Sequence, residues 1–456
     1  MDHSEVTPAL AWRERPAFEL LRLAWPMTVS MLSLSLMNAV DTLFVGHMGA
    51  AALSGVALAN ITTFTLFCFG LGLLRASKIA VAQAVGAGRR DADVAYLGAS
   101  IWLGLGLGLA TALLGQGVAL GLPLLTTTAE SGHAAHVYAA LRLLGAPLVL
   151  LTAALRETRY GLGDSRAPMT AAVVSNLANA ALVALFLHVF EWGVAGAAWA
   201  TLIAEVVELG VLAWLQRAHG FGLRRVSAAD VRVLARLGVP LGFERFFDVG
   251  SFSVTVALFA RMGDVDLAAH QVATQALLLV FLLNNAIGET CSILVGQAVG
   301  AARLRIVLHV QRAALGLCYA VVAVVSCTLL CFGWQLAAMF TEDPQVIARA
   351  VELYRIGAVF VWFVPLYAIG QGSLRGIGDV RAGAIITVIA AWGCAPLFAA
   401  TLGLGLDMGA PGGWLGIAAE FLLGGACFWW RLRGRGNAWL RQAKRIRSAL
   451  RLQIAA

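Results

Sequence analysis

Charge is what this chain has least of: only 13% of its 456 residues are Asp, Glu, Lys or Arg, and of 33 basic residues just two, Lys78 and Lys444, are lysines. Neither lysine follows a glycine-rich run, so the chain has no phosphate-cradling P-loop. It also lacks HExxH and CxxC, the spacings that place zinc ligands or a redox dithiol. Its seven cysteines (Cys68, Cys291, Cys318, Cys327, Cys331, Cys394 and Cys427) fall inside or at the edge of apolar stretches. There they act as small buried apolar residues, which implies neither a disulfide framework nor a metal site. Long polar stretches are missing as well, which excludes a large soluble catalytic or nucleotide-binding domain. The polar, mixed-charge residues 1–17 do not have the pattern of a cleaved signal peptide.

What is present is apolar surface. Hydrophobic residues make up 60% of the chain and the mean hydropathy is +0.81, more than a water-soluble protein can hide. Apolar spans fall near 20–45, 51–74, 95–121, 137–157, 168–190, 193–216, 237–261, 267–290, 307–335, 350–372, 382–405 and 411–430. Each can cross about 30 Å of hydrocarbon as a helix. The expected fold is an all-α polytopic membrane protein of twelve transmembrane helices.

Basic residues in the short loops orient the spans. One set of connections holds Arg89 and Arg90; Arg156, Arg159 and Arg166; Arg217 to Arg236; Arg303 and Arg305; Arg375 and Arg381, while the alternate set carries acids such as Glu130, Glu191, Asp264 and Glu342. The basic set and both termini are therefore expected in the cytoplasm, with the protein in the inner (plasma) membrane. The net charge of +8 belongs to the tail: residues 431–456 hold eight Lys/Arg and no acid, and the remainder balances at 25 against 25. In that tail Trp439, Ala443, Ile446 and Leu450 recur at spacings of three and four among arginines, as in a helix lying on an anionic membrane surface. A bare solvated basic tail is the alternative, and the charge does not point to nucleic acid.

An internal repeat organises the chain. Val81-Ala-Gln-Ala-Val-Gly86 returns as Val295-Gly-Gln-Ala-Val-Gly300, Pro26 as Pro240, and Met48-Gly49 as Met262-Gly263, all 214 residues on. Gly161-Leu-Gly-Asp164-Ser-Arg166 returns as Gly376-Ile-Gly-Asp379-Val-Arg381, and Trp199 and Glu205 return as Trp414 and Glu420, 215 residues on. Six spans per half is an even number, so both halves enter the membrane in the same sense. The organisation read from this is an N-terminal segment 1–17, a six-helix lobe 18–216, a cytoplasmic linker 217–236, a second lobe 237–430 and the tail 431–456. Two such lobes facing a central cavity make an alternating-access transporter, and with no nucleotide site its energy must come from an ion gradient.

Ionisable residues inside spans are costly in lipid and mark function by default. Asp41 lies in the first span with Asn38 a turn away, and its repeat partner is Thr255, so this acid is peculiar to the first half. Such a carboxyl can couple a proton to a change in packing; a helix-end acid capped by backbone amides is the alternative. Glu244 and Asp248 sit four apart in the seventh span, and Ser251 and Thr255 continue their face, which must meet protein or water. An internal ion pair with Arg245 is the alternative there. Glu205 and Glu420 obey the repeat and read as structural acids that need a local partner. Arg75, Lys78 and Glu289 are open between ion pairing, snorkelling and function. Asn60, Asn176, Asn179 and Thr201 could line a first-lobe cavity or act as polar glue between helices.

Val-Asp41-Thr with following Gly46, Val81-Ala-Gln-Ala-Val-Gly-Ala-Gly88, Leu267-Ala-Ala-His-Gln271, Val295-Gly-Gln-Ala-Val-Gly300 and Gly372-Ser-Leu-Arg-Gly376 together resemble the multidrug and toxic compound extrusion (MATE) family over about residues 18–430. The resemblance implies two six-helix lobes and export of organic cations, drugs or toxic metabolites in exchange for H⁺ or Na⁺. It gives Asp41 the place of the family's first-helix coupling acid, Asn179 and Thr201 first-lobe cavity positions, and Asp248, in Phe246-Phe-Asp248-Val, the seventh-helix acid of the sodium-coupled subgroup. Two family carboxylates are absent, with Val183 in the fifth helix and Val364 in the tenth.

The expected function is a monomeric secondary antiporter, not an enzyme, exporting small organic, often cationic, molecules. It needs no cofactor beyond the coupling ion, H⁺ before Na⁺, and its other partners are membrane lipids. Coupling falls to Asp41, Asn38, Asp248 and Glu244, and the substrate cavity to Asn60, Asn176, Asn179, Thr201, Ser251 and Thr255. A flippase for lipid-linked saccharides on the same fold is the alternative, although its pyrophosphate cargo calls for several central basic residues; a channel or membrane-embedded enzyme lacks any recognisable catalytic set. The orientation is checked by a single cysteine at Gly434 on a cysteine-free background, which should react with an impermeant thiol reagent only from the cytoplasmic side; labelling of intact cells from outside would reverse the topology.

Overall fold

The computed structural model describes residues 10–433. Residues 1–9 and the tail from 434 on, with its expected surface helix, lie outside the described residues, as do the side chains of Ala11, Leu34, Asn38 and Arg90. Fourteen helices carry the fold, and no strand occurs among the described residues. They are α1 (Pro16–Gly46), α2 (Ala50–Gly86), α3 (Arg90–Gly121), α4 (Ala129–Leu144), α5 (Ala146–Gly161), α6 (Arg166–His188), α7 (Gly193–Gln216), α8 (Ala228–Met262), α9 (Asp264–Gly300), α10 (Leu304–Ala338), α11 (Pro344–Phe360), α12 (Val364–Ile377), α13 (Val380–Phe398) and α14 (Ala410–Arg433).

Fourteen helices make twelve spans because the fourth and tenth, which read as single helices in the sequence, are each broken. Helices α4 and α5 meet at 47°, and α11 and α12 at 50°. The second helix of each pair has proline in its first turn, Pro147 and Pro365, where the missing N–H cannot continue the preceding helix. Nine other helices among the described residues are long and apolar enough to cross a membrane alone. The twelfth span is α8, long enough at 35 residues but carrying Glu244, Arg245 and Asp248 in its middle. Past Pro396, the chain leaving α13 continues as a π-helical stretch, Ala399–Gly405.

The repeat in the sequence is a repeat of packing. In Gly161-Leu-Gly163-Asp164 and Gly376-Ile-Gly378-Asp379 the third residue is left-handed, with φ of +81° and +88°. Asp164 N donates to Arg159 O at 3.0 Å and Asp379 N to Leu374 O at 3.0 Å, the same six-to-one closure at the ends of α5 and α12. Only glycine takes that conformation without cost. Two residues before each left-handed glycine, a Cβ on Gly161 would lie 2.8 Å from the Lys78 carbonyl, and one on Gly376 would lie 2.5 Å from that of Ser292, 214 residues beyond Lys78. These glycines let α5 lie on α2, and α12 on α9, backbone to backbone.

The described chain packs as two compact units whose limits differ slightly from those of the repeat, because the first part of α1 belongs with residues 247–433 and the first part of α8 with residues 26–246. The first-half unit has a core of small residues around Val45, Ala59, Tyr138, Leu143 and Ala197. The second-half unit has an aromatic core of Phe259, Tyr354, Phe360 and Trp414. His270, from the Leu-Ala-Ala-His-Gln motif, stacks 4.2 Å from the Phe259 ring and accepts the Trp414 indole N–H at 3.2 Å, so that motif residue is a buried strut. Cys68, Cys291, Cys318 and Cys394 are buried as read from the sequence; Cys327, Cys331 and Cys427 instead lie exposed on the apolar surface.

Gly161→Ala and Gly376→Ala should each cost about 1–3 kcal/mol, because the added methyl meets a backbone carbonyl that cannot move aside. Gly106→Ala, where a Cβ would meet nothing within 4 Å, should not. Thermal unfolding in detergent reads the difference, and equal midpoints for all three would refute the close approach.

Candidate functional site

Asp41 lies towards the end of α1 at 4% exposure, in the first-half unit. Its Oδ2 accepts the Thr201 hydroxyl of α7 at 3.3 Å, and that hydroxyl also reaches the Ala197 carbonyl at 3.0 Å. Asn179 of α6, fully buried, donates through Nδ2 to Thr201 Oγ1 at 3.4 Å. The other oxygen of each group, Asp41 Oδ1 and Asn179 Oδ1, has no hydrogen-bond partner. Three of the first-lobe residues singled out in the sequence are thus one network.

In this packing the network offers Asp41 a hydrogen-bond partner in either protonation state. With Asp41 ionised, Thr201 donates to it. With Asp41 protonated, the acid can donate to Thr201 Oγ1, whose own proton turns to Ala197 O. Asn179 donates to the same hydroxyl oxygen in both arrangements. A hydroxyl with one proton and two lone pairs is the group able to serve both.

Two residues beside this network escaped the sequence reading. Tyr138 of α4 is 1% exposed and interacts with Thr201 and Asn60. Arg142, one turn further along α4, forms an ion pair with Glu205 of α7 at 2.5 Å and lies within electrostatic reach of Asp41. An arginine inside the apolar run 137–157 was the signal that could have found it. Glu205 accordingly has the local partner that its place in the repeat called for.

The other sequence candidates distribute differently. Asn176 donates to Ser33 on α1, fastening α6 to that helix. Val183 packs with Phe186 and Ala200 in an apolar cluster, and Val364 lies in the aromatic core of the second half. On α8, Glu244, Ser251 and Thr255 are buried and Asp248 half-buried, so the stripe does face protein. Its hydroxyls are spent on backbone: Ser251 Oγ donates to Ala391 O and Thr255 Oγ1 to Ser251 O, each at 2.9 Å. Asp248 lies within electrostatic reach of Glu420 of α14. Glu420 has no cationic partner among the described residues. Lys78 pairs with Glu157 at 2.9 Å, and Glu289 with Arg375 at 3.0 Å. Each of these ion pairs lies within one half.

The MatE family model matches residues 26–185 and 240–401, one copy in each half. The chain is 31% identical over 425 residues to the probable multidrug resistance protein NorM of Deinococcus radiodurans, covering 89% of this chain and 92% of that protein. To the multidrug resistance protein PmpM of Pseudomonas aeruginosa it is 29% identical over 399 residues, covering 85% and 84%. A solved structure of MATE in the bent conformation superposes with a TM-score of 0.85 at 21% identity, over 99% of this chain and all of that one, which shows a common fold.

Arg142→Gln leaves Glu205 as a buried carboxylate without its cation and should cost about 3–5 kcal/mol, whereas adding Glu205→Gln should restore most of the loss. Thermal midpoints in detergent compare the variants; a double variant no more stable than the single would mean that the two charges are not coupled.

Proposed function

The chain belongs to the MatE family and is a multi-pass efflux transporter, and from that premise we propose that it exports small organic cations in exchange for protons, with Asp41 as the coupling acid. The observation that carries this reading is the Asp41–Thr201–Ala197 chain, in which one hydroxyl serves the acid in either protonation state. A proton needs only such a group. Sodium is a hard cation that gathers several oxygen ligands, and Val183 and Val364 stand in apolar packing where further carboxylates would be needed.

Substrate class follows from charge. The acids inside the two halves, buried Asp41 in the first and half-buried Asp248 and Glu420 in the second, favour cations, in line with relatives named for multidrug resistance. The flippase alternative needs unmatched basic groups, and Arg142 is already matched by Glu205. The cycle is alternating access: a proton on Asp41 favours one packing of the first-half helices, its loss favours another, and substrate binding biases that equilibrium. We place the protein as a monomer in the inner membrane with both termini in the cytoplasm.

Purified protein in vesicles under an imposed pH or Na⁺ gradient, assayed with a fluorescent organic cation, tests the proposal. Wild-type transport should follow the pH gradient and collapse with a protonophore. Asp41→Asn should remain folded and lose gradient-driven transport by roughly tenfold or more. Transport that survives the protonophore and stops when Na⁺ is withdrawn at fixed pH would assign sodium instead.

A further inference from the structure

A cleft of about 470 Å³ opens in the second-half unit where the start of α10 meets the ends of α12 and α14. Its walls are apolar, formed by Val307, Leu308, Leu315, Ile377 and Leu432, and its polar groups are few and specific. Gln311 lines it at 5% exposure and makes no hydrogen bond to any described residue, so a buried amide is aimed into the cleft with its donors and acceptor unused. Arg312 and Arg433 stand at its edge, neither with a carboxylate partner among the described residues. By contrast the neighbouring Arg431 is held by Asp379 at 2.9 Å. Trp429 completes the lining: its indole N–H is fixed on Leu366 O at 2.9 Å, and the Arg433 guanidinium lies 5.5 Å from its ring centre.

We propose that this cleft binds one anionic glycerophospholipid of the cytoplasmic leaflet. It lies at the end of the helices that carries Arg303, Arg305 and Arg381, the cytoplasmic end in the orientation given above. Two guanidiniums suit a phosphodiester, whose oxygens they take in pairs. The Gln311 amide then meets the glycerol or ester oxygens, and Leu308 and Leu315, seven residues apart on one face of α10, carry the start of an acyl chain. Trp429 stands at headgroup depth, where amphipathic rings collect. Basic pockets between membrane helices on this side hold acidic lipid headgroups for these reasons. The chain's own tail is the other candidate occupant, and charge disfavours it, since residues 434–456 contain six Lys/Arg and no Asp or Glu to meet two arginines.

The test uses the full-length protein in neutral detergent and counts bound lipid by native mass spectrometry while phosphatidylglycerol, phosphatidylcholine or inorganic phosphate is added. Wild type should retain one phosphatidylglycerol in preference to phosphatidylcholine, and inorganic phosphate should not displace it, because the apolar walls hold only a lipid. Arg312→Gln with Arg433→Gln should weaken that binding by roughly tenfold or more, the loss of two charge-assisted contacts. Arg312→Lys with Arg433→Lys should keep part of it, and neutralising Arg441, Lys444, Arg445 and Arg447 should leave it intact. The proposal fails if phosphatidylglycerol binding follows those tail charges rather than Arg312 and Arg433, if phosphatidylcholine binds equally, if free phosphate competes, or if the full chain binds none until the tail is removed. These outcomes do not depend on which ion drives transport.

Discussion

An ionised side chain that cannot reach water must find an opposite charge or give up its own, and the arrangement of helices here follows from that requirement. Most acids and bases inside the spans are matched within one half: Lys78 with Glu157, Arg142 with Glu205, Glu289 with Arg375. Each pair ties two helices at a fixed register, since breaking it strands a charge in a low-dielectric interior. Asp41 differs because its direct partners are a hydroxyl and, through it, an amide, and one of its oxygens has no hydrogen bond. A carboxyl held this way is free to change protonation, whereas a carboxylate locked to arginine is not. On the function proposed above, a working acid differs from a structural one in its partners.

The repeat supplies the frame on which this distinction operates. Glycines that admit a neighbouring carbonyl, left-handed helix ends and proline-bent spans recur in both halves because they are demands of backbone packing, and a second copy of the fold meets them again. Charge does not repeat so faithfully. Asp41 becomes Thr255, and Glu205 is matched by Arg142 while its counterpart Glu420 has no cationic partner among the described residues and lies within electrostatic reach of Asp248. Divergence has spared the scaffold and rewritten the electrostatics.

The sequence shows the fold plainly, because twelve apolar runs and a displaced copy of the same motifs leave few other architectures. Asp41, Asn179 and Thr201 were likewise visible, as polar groups with no business in lipid. What stayed hidden depends on distance in space. That Arg142 and Glu205, 63 residues apart, would meet could not be read from spacing, and Asn176 gives no sign in the sequence that it turns to Ser33 instead. The bends in the fourth and tenth spans were written in Pro147 and Pro365, yet hydropathy averages across them. Cysteine exposure was misjudged for a related reason: in a membrane protein the surface is as apolar as the core, so Cys327, Cys331 and Cys427 satisfy lipid as well as protein.

Proton exchange at Asp41 is tested most directly without any gradient, by adding a cationic substrate to the detergent-purified protein in weak buffer and following pH with an indicator dye. Binding should release about one proton per cation bound by wild type, because the ionised form of the acid is the one that substrate favours. Asp41→Asn should bind without release. Binding that liberates no proton from the wild type, or release that persists unchanged in Asp41→Asn, would contradict the assignment of Asp41 as the group that carries the coupling proton.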